Sequence, residues 1–253
     1  MTKSKLIIIG KLLLLFVLVK INTYTLSPSL PLAYLATPPT QSIAPIAANV
    51  APRKLSFANE NLPIGNKKVA FKMKKVLKAN SFSHLQTHKL HYRAQKWFSV
   101  IEPILKEHGI PDDFKYIPLV ETGLTTNIYS SKGAAGLWQF MPQTGRDFGL
   151  KVNSSVDERF NIQLSTLAAA KYFKSLYKVF GSWTLVAAAY NAGEGRIKRQ
   201  VKSQKQNNYF KLKLNRETAA YVYSIISMKE IIEYPEKYGY KIRNPRWLAY
   251  QGR

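Results

Sequence analysis

From about residue 84 to residue 232, apolar side chains recur at intervals of three and four, and most runs are stopped by a glycine. Strand-type alternation is nearly absent, so the chain is confined to helices packed on helices. Over 92–108, Trp97, Val100, Ile101, Ile104 and Leu105 share one helix face, and Gly109 ends the run. Pro111, Asp112 and Asp113 open the next helix, with proline in the first turn and acids at the positive end of the dipole. It continues through Phe114, Ile117, Leu119 and Val120 to Glu121 and meets Gly123. Further helices are expected over 139–148, 161–180, 183–190, 194–202 and 216–232. The expected fold is mostly α.

The N-terminal part reads differently. Lys3 and Lys5 precede an apolar run over 6–19 that Lys11 interrupts and Lys20 closes. This is the layout of an export signal. A membrane span needs about 20 apolar residues, so a cleaved signal is favoured over a retained anchor. Residues 24–66 are rich in Pro, Ser, Thr, Ala and Asn, a linker composition, and the lysines of 67–78 read as a solvated helix face. The expected divisions are therefore 1–23 signal peptide or N-terminal anchor, 24–83 linker, 84–240 folded domain and 241–253 basic tail.

Composition removes several chemistries. The 253 residues include no cysteine, which excludes disulfide scaffolds, thiolate metal sites, thiol nucleophiles and acylation at cysteine. A formal charge of +24 favours polyanionic surroundings. No helix-turn-helix, zinc-finger or RNP signature accompanies it, so nucleic acid is not the expected partner. His84, His88 and His91 fall on one helical face. Without a His-Glu-x-x-His pattern they read as surface histidines, not metal ligands. The short glycine pairs lack a P-loop ending, and no Gly-x-Ser-x-Gly occurs.

Glu121 is the first candidate for chemistry. It follows Ile117-Pro118-Leu119-Val120 at the end of its helix. Burial and the negative helix end both disfavour a carboxylate there and raise its pKa, as a general acid requires. Standing alone, a glutamate at a helix end is more often a solvated cap. Its surroundings decide the matter. Val120-Glu121-Thr122-Gly123-Leu124 is followed by Ser130 and by Gly133-Ala134-Ala135-Gly136-Leu137-Trp138-Gln139-Phe140-Met141-Pro142-Gln143-Thr144. Then come Ala188-Ala189-Tyr190-Asn191-Ala192-Gly193-Glu194-Gly195 and Glu217-Thr218-Ala219-Ala220-Tyr221-Val222.

These four motifs, in this order across residues 90–235, resemble the soluble lytic transglycosylase family. That family is lysozyme-like and related to goose-type lysozymes, and the likeness is greatest to its membrane-bound transglycosylase D subgroup. The resemblance implies a helical domain with a deep substrate cleft that cuts peptidoglycan glycan strands without a metal or organic cofactor. It implies that Glu121 is the sole catalytic acid and base and that released ends carry 1,6-anhydro-muramic acid. Ser130, Gln139 and Met141 match residues facing the cleaved sugar. Tyr190 and Asn191 match the Ala-Tyr-Asn-Ala-Gly motif, and Glu217 and Tyr221 match the motif at the cleft's far wall. Two departures stand out: Thr122 occupies a position where serine is usual, and Asn215 one where proline is usual. The family likeness further implies a monomer in the periplasm or cell envelope, with any membrane association made through the N-terminal segment. A hydrolytic muramidase, or a non-catalytic peptidoglycan-binding module, would retain the same motifs. Gly136, Gly193 and Gly195 are read as turns, and Trp138 and Trp183 as core.

Overall fold

The computed structural model describes residues 54–242. Its architecture is helical, with one small hairpin at the start. The hairpin pairs β1 (Ser56–Phe57) with β2 (Glu60–Asn61) antiparallel. Ala58 and Asn59 between them have φ of 49° and 65°, the positive pair that a two-residue turn with native strand twist demands. Helices α1 (Lys67–Asn80) and α2 (Phe82–Leu85) follow, then α3 (Lys89–Glu107). A 3₁₀ turn over Asp112–Tyr116 leads into α4 (Ile117–Thr122), and α5 (Pro142–Asp147) comes after a long loop. The remainder comprises α6 (Ile162–Phe180), α7 (Trp183–Ala192), α8 (Glu194–Gln204) and α9 (Thr218–Glu233).

The starts and stops have local causes. Asn161 caps α6 by accepting from the Leu164 amide, and Ser182 caps α7 by accepting from that of Leu185. Gly123 ends α4 at φ 57° and Gly181 ends α6 at φ 62°, a left-handed stop that a side chain would resist. Helix α7 runs through the core, with Thr184 to Ala189 all buried. A helix apolar on every side is a core helix, and α7 packs on α6, α8 and α9. The alanines of α6 (Ala168, Ala169, Ala170) and of α7 (Ala187, Ala188, Ala189) leave almost no exposed surface, which allows the two backbones to approach closely.

The linker expected over 24–83 is corrected for its described part. The hairpin and α1 belong to the folded body: Phe57, Leu62, Val69 and Met73 are all buried in the one core. Phe57 packs its ring 5.0 Å from that of Phe114, and α1 lies along α9. Polar locks accompany this packing. The Ala58 amide donates to Asp113 at 2.7 Å, and Asp113 pairs with Lys229 at 2.7 Å, both side chains being mostly buried. Glu60 accepts from the backbone amides of Trp183 and Thr184 and from the hydroxyls of Ser182 and Thr184. It places a carboxylate on the positive end of α7. Residues 24–53, the expected signal 1–23 and the tail from 243 onward lie outside the described residues.

Three smaller corrections follow. The helix expected to start at Gln139 starts at Pro142, because Gln139 has a φ of 52° and belongs to a tight loop. The single helix expected from Pro111 is a 3₁₀ turn followed by α4. His91 is not a surface residue: it is buried, and its Nε2 lies 3.0 Å from the Ile231 carbonyl. His88 is half-buried against the Phe82 ring and His84 is exposed. No cluster of metal-binding side chains occurs among the described residues.

Candidate active site

Three elements and one loop converge on Glu121. The last turn of α4 carries Glu121 itself, the end of α7 carries Tyr190 and Asn191, and the α9 region carries Glu217 and Tyr221. The loop over 123–141 reaches this group through the Trp138 carbonyl, bonded by Tyr190, and the Leu137 carbonyl beside Thr122. Glu121 keeps a partly exposed surface, yet its carboxyl is held among apolar and phenolic groups. Its acidity reflects that setting. Burial pushes the pKa from 4.5 up to about 7, with the negative charge of Glu217 adding to the rise and a hydrogen bond from Tyr221 opposing it.

The phenol of Tyr221 donates directly to Glu121 Oε1. Burial, then the adjacent Glu121 charge, holds this phenol well above its usual range, so it remains a donor. Tyr190 is kept neutral by the same two causes in the same order. Its hydroxyl donates to the carbonyl of Trp138, which ties α7 to the loop. Asn191 donates from Nδ2 to Glu217 Oε1 at 3.1 Å and accepts from the Thr218 hydroxyl at 2.9 Å. The end of α7 and the start of α9 are thereby stitched together beside the acid.

The loop is built from the inside. At Gly136 the φ is 74°, and an added Cβ would stand 1.9 Å from the Arg159 carbonyl oxygen. Only glycine allows this approach, so its role is structural. Trp138 is fully buried, with its indole donating to Thr166 at 2.9 Å, and Trp183 stacks on Tyr177 with 4.0 Å between ring centres. Ser130 caps the turn by accepting from the Ala134 amide at 2.9 Å, and Gln139 donates to the Gly136 carbonyl at 2.8 Å. These two side chains therefore spend bonds on the loop itself. Met141 is exposed at the loop's end.

Two further residues hold this arrangement. Arg159, which the sequence reading does not single out, is buried and donates to the carbonyls of Gly133 and Phe140 at 2.8 and 2.9 Å while pairing with Asp157 at 2.6 Å. One guanidinium thus pins both ends of the Gly133–Phe140 segment. Its hydrogen bond is the chief reason the Asp157 pKa is lowered. Thr122, next to the acid, is buried and donates to the Pro118 carbonyl at 3.1 Å, with the Leu137 carbonyl at 3.4 Å. At this position, where serine is usual in the family resembled, the threonine hydroxyl is bonded within the fold.

Residues 99–213 match the family described as Transglycosylase SLT domain. Over 195 residues the chain is 31% identical to the membrane-bound lytic murein transglycosylase D of Escherichia coli strain K12, covering 74% of this chain and 42% of that relative. The chain thus spans under half of that relative's length. Over 88 residues it is 35% identical to the peptidoglycan transglycosylase gp16 of Escherichia phage T7, covering 34% of this chain and 7% of that protein. Among solved structures, the 70 kDa soluble lytic transglycosylase of Escherichia coli covers 68% of this chain at 20% identity, with a TM-score of 0.47 and 30% of its own length covered. The SLT domain match ends before Glu217 and Tyr221. The fold nonetheless returns Tyr221 to Glu121 through α9, so the site is completed by residues beyond the matched range.

Proposed function

We propose that this chain is a peptidoglycan lytic transglycosylase. It cleaves the β-1,4 bond between N-acetylmuramic acid and N-acetylglucosamine, with Glu121 as its one general acid and base. The observation that carries the reading is the setting of Glu121, whose carboxyl accepts from the Tyr221 phenol beside Glu217 and has its pKa raised by burial to about 7. A carboxyl poised there is divided between acid and base forms at neutral pH, as suits a group that gives a proton in one step and takes one in the next. Because Oε1 accepts from Tyr221, the proton to be given resides on Oε2.

In the first step that proton passes to the glycosidic oxygen as the bond from C1 to that oxygen breaks. The oxygen of the substrate's own N-acetyl group stabilises C1. In the second step the C6 hydroxyl adds to C1 and its proton returns to Glu121, closing a 1,6-anhydro ring without water. A tethered hydroxyl has a large entropic advantage over a free water. Ser130, Gln139 and Met141 on the loop, with Tyr190, Asn191, Glu217 and Tyr221, are assigned to the glycan. A hydrolytic muramidase holds a water, commonly activated by a second carboxylate on the opposite face of the sugar. Glu217 is the acid that acts on Glu121 electrostatically, and its Oε1 is engaged by Asn191, which favours a binding role.

The names of the relatives and the SLT domain match support the reaction class. The same reading places the protein in the cell envelope as a monomer, with residues 1–23 as signal or anchor and a peptidoglycan strand as partner; nucleic acid has no part in it. Glu121→Gln retains size and one hydrogen bond but cannot cycle a proton. Release of soluble fragments from purified peptidoglycan should fall by at least about 10²-fold with far-UV circular dichroism unchanged. Release near the wild-type rate would remove the assignment.

A further inference from the structure

We propose that α1 is a docking face for an anionic phospholipid bilayer. The inference stands on the outward face of α1, none of whose residues is assigned to the site above, and does not depend on the reaction assigned there. The fourteen residues of α1 include six lysines and no acid. One of them, Lys72, turns inward to the Ala219 carbonyl and the Tyr223 ring. The other five, Lys67, Lys68, Lys74, Lys75 and Lys78, are exposed. At 3.6 residues per turn they occupy an arc of roughly 120°, opposite the buried Val69 and Met73 that fix the helix to the core.

In the middle of that arc stands Phe71. It is 72% exposed, the most exposed of the large apolar side chains among the described residues, and Ile64 just ahead of the helix is 49% exposed. The side chains that α1 buries are Val69 and Met73, and Phe71 stands outside the core. A phenylalanine ringed by five lysines matches a surface that offers a plane of negative charge and an apolar phase just beneath it. An anionic bilayer offers both: lysines gain from the headgroup field, and an aromatic ring gains from entering the interface. A soluble polyanion would engage the lysines and leave the ring without an apolar phase. This face would hold the folded body against the membrane independently of whatever residues 1–23 do.

The test uses the full chain carrying Phe71→Trp, with vesicles of phosphatidylcholine alone or mixed with phosphatidylglycerol. The signal of the new indole is taken as the difference from wild type. The proposal expects it to shift to the blue with phosphatidylglycerol vesicles and to be quenched by lipids brominated on the acyl chain. It also expects the variant with Lys67, Lys68, Lys74, Lys75 and Lys78 all changed to Gln to lose at least about tenfold in partition onto anionic vesicles. That loss should be mimicked by high salt, with no change on neutral ones. An indole at position 71 that is neither shifted nor quenched overturns the proposal, whether or not the glutamine variant folds. So does an unquenched indole together with lysine-dependent binding to peptidoglycan or DNA, which would make the face a polymer-binding one.

Discussion

Glu121 should cost the folded protein stability, and that cost should depend on pH. The folded pKa of about 7 lies above the 4.5 of an unperturbed glutamate. Each unit is worth about 1.4 kcal/mol, so the difference corresponds to about 3 kcal/mol. The sign follows from proton binding: between pH 4.5 and about 7 the folded chain retains a proton that the unfolded chain has released. Stability therefore declines as pH rises through that window and levels off above it. The amide of the Glu121→Gln variant has nothing to ionise, and Tyr221 can still donate to its oxygen. The variant should match wild type below pH 4.5 and gain steadily on it up to about pH 7. For a domain of this size the full difference corresponds to roughly 6–12 °C in melting temperature. Thermal melts of both proteins from about pH 4 to about pH 9, spanning both pKa values at constant ionic strength, measure it. A gap that stays flat across the window, or a wild type that gains on the variant as pH rises, would refute the argument that the acid is raised by burial.

Other expectations follow from the same contacts. Tyr221→Phe removes the one bond that lowers the Glu121 pKa. The alkaline limb of kcat/KM should move to higher pH while turnover falls about tenfold, and an unmoved limb would separate the phenol from the acid. Deleting residues 1–53 should leave the helical fold intact. Deleting 1–83 should unfold it, since Phe57, Leu62, Val69 and Met73 leave the core and Glu60 leaves the end of α7. A cooperative melt for the longer deletion would show that the hairpin and α1 are dispensable.

The contrast between the two ends of the chain has a physical origin. From α3 onward the 3.6-residue period is legible because each helix buries a broad stripe, as in Ile101 and Leu105 of α3 or Leu176 of α6. Over 54–83 the same signal is diluted. Two strands of two residues each are too short for any period, and α1 sends only Val69 and Met73 fully into the core among six lysines. The Asn66 cap, whose side chain accepts from the Lys68 and Val69 amides, is the available clue. The candidate acid is legible because its apolar neighbours and its helix end are both local. Arg159 is not, since its partners Gly133 and Phe140 lie 26 and 19 residues away and nothing nearby in sequence marks the guanidinium as a loop staple. Gln139 reads as helical from its neighbours for a related reason. Its left-handed backbone is imposed by the loop that Gly136 allows to press on Arg159, a tertiary constraint that helix propensity does not register.

In the proposed reaction Glu121 gives its proton to the leaving oxygen and takes one back from the C6 hydroxyl of the sugar that was cut, with no water entering. The ends of the released muropeptides report this directly. Purified peptidoglycan digested by the full-length protein and analysed by mass spectrometry should yield fragments ending in 1,6-anhydro-muramic acid. These are lighter by one water than hydrolytic fragments and unchanged by borohydride. Fragments that are mainly reducible would contradict the account and make Glu217 the base for an attacking water.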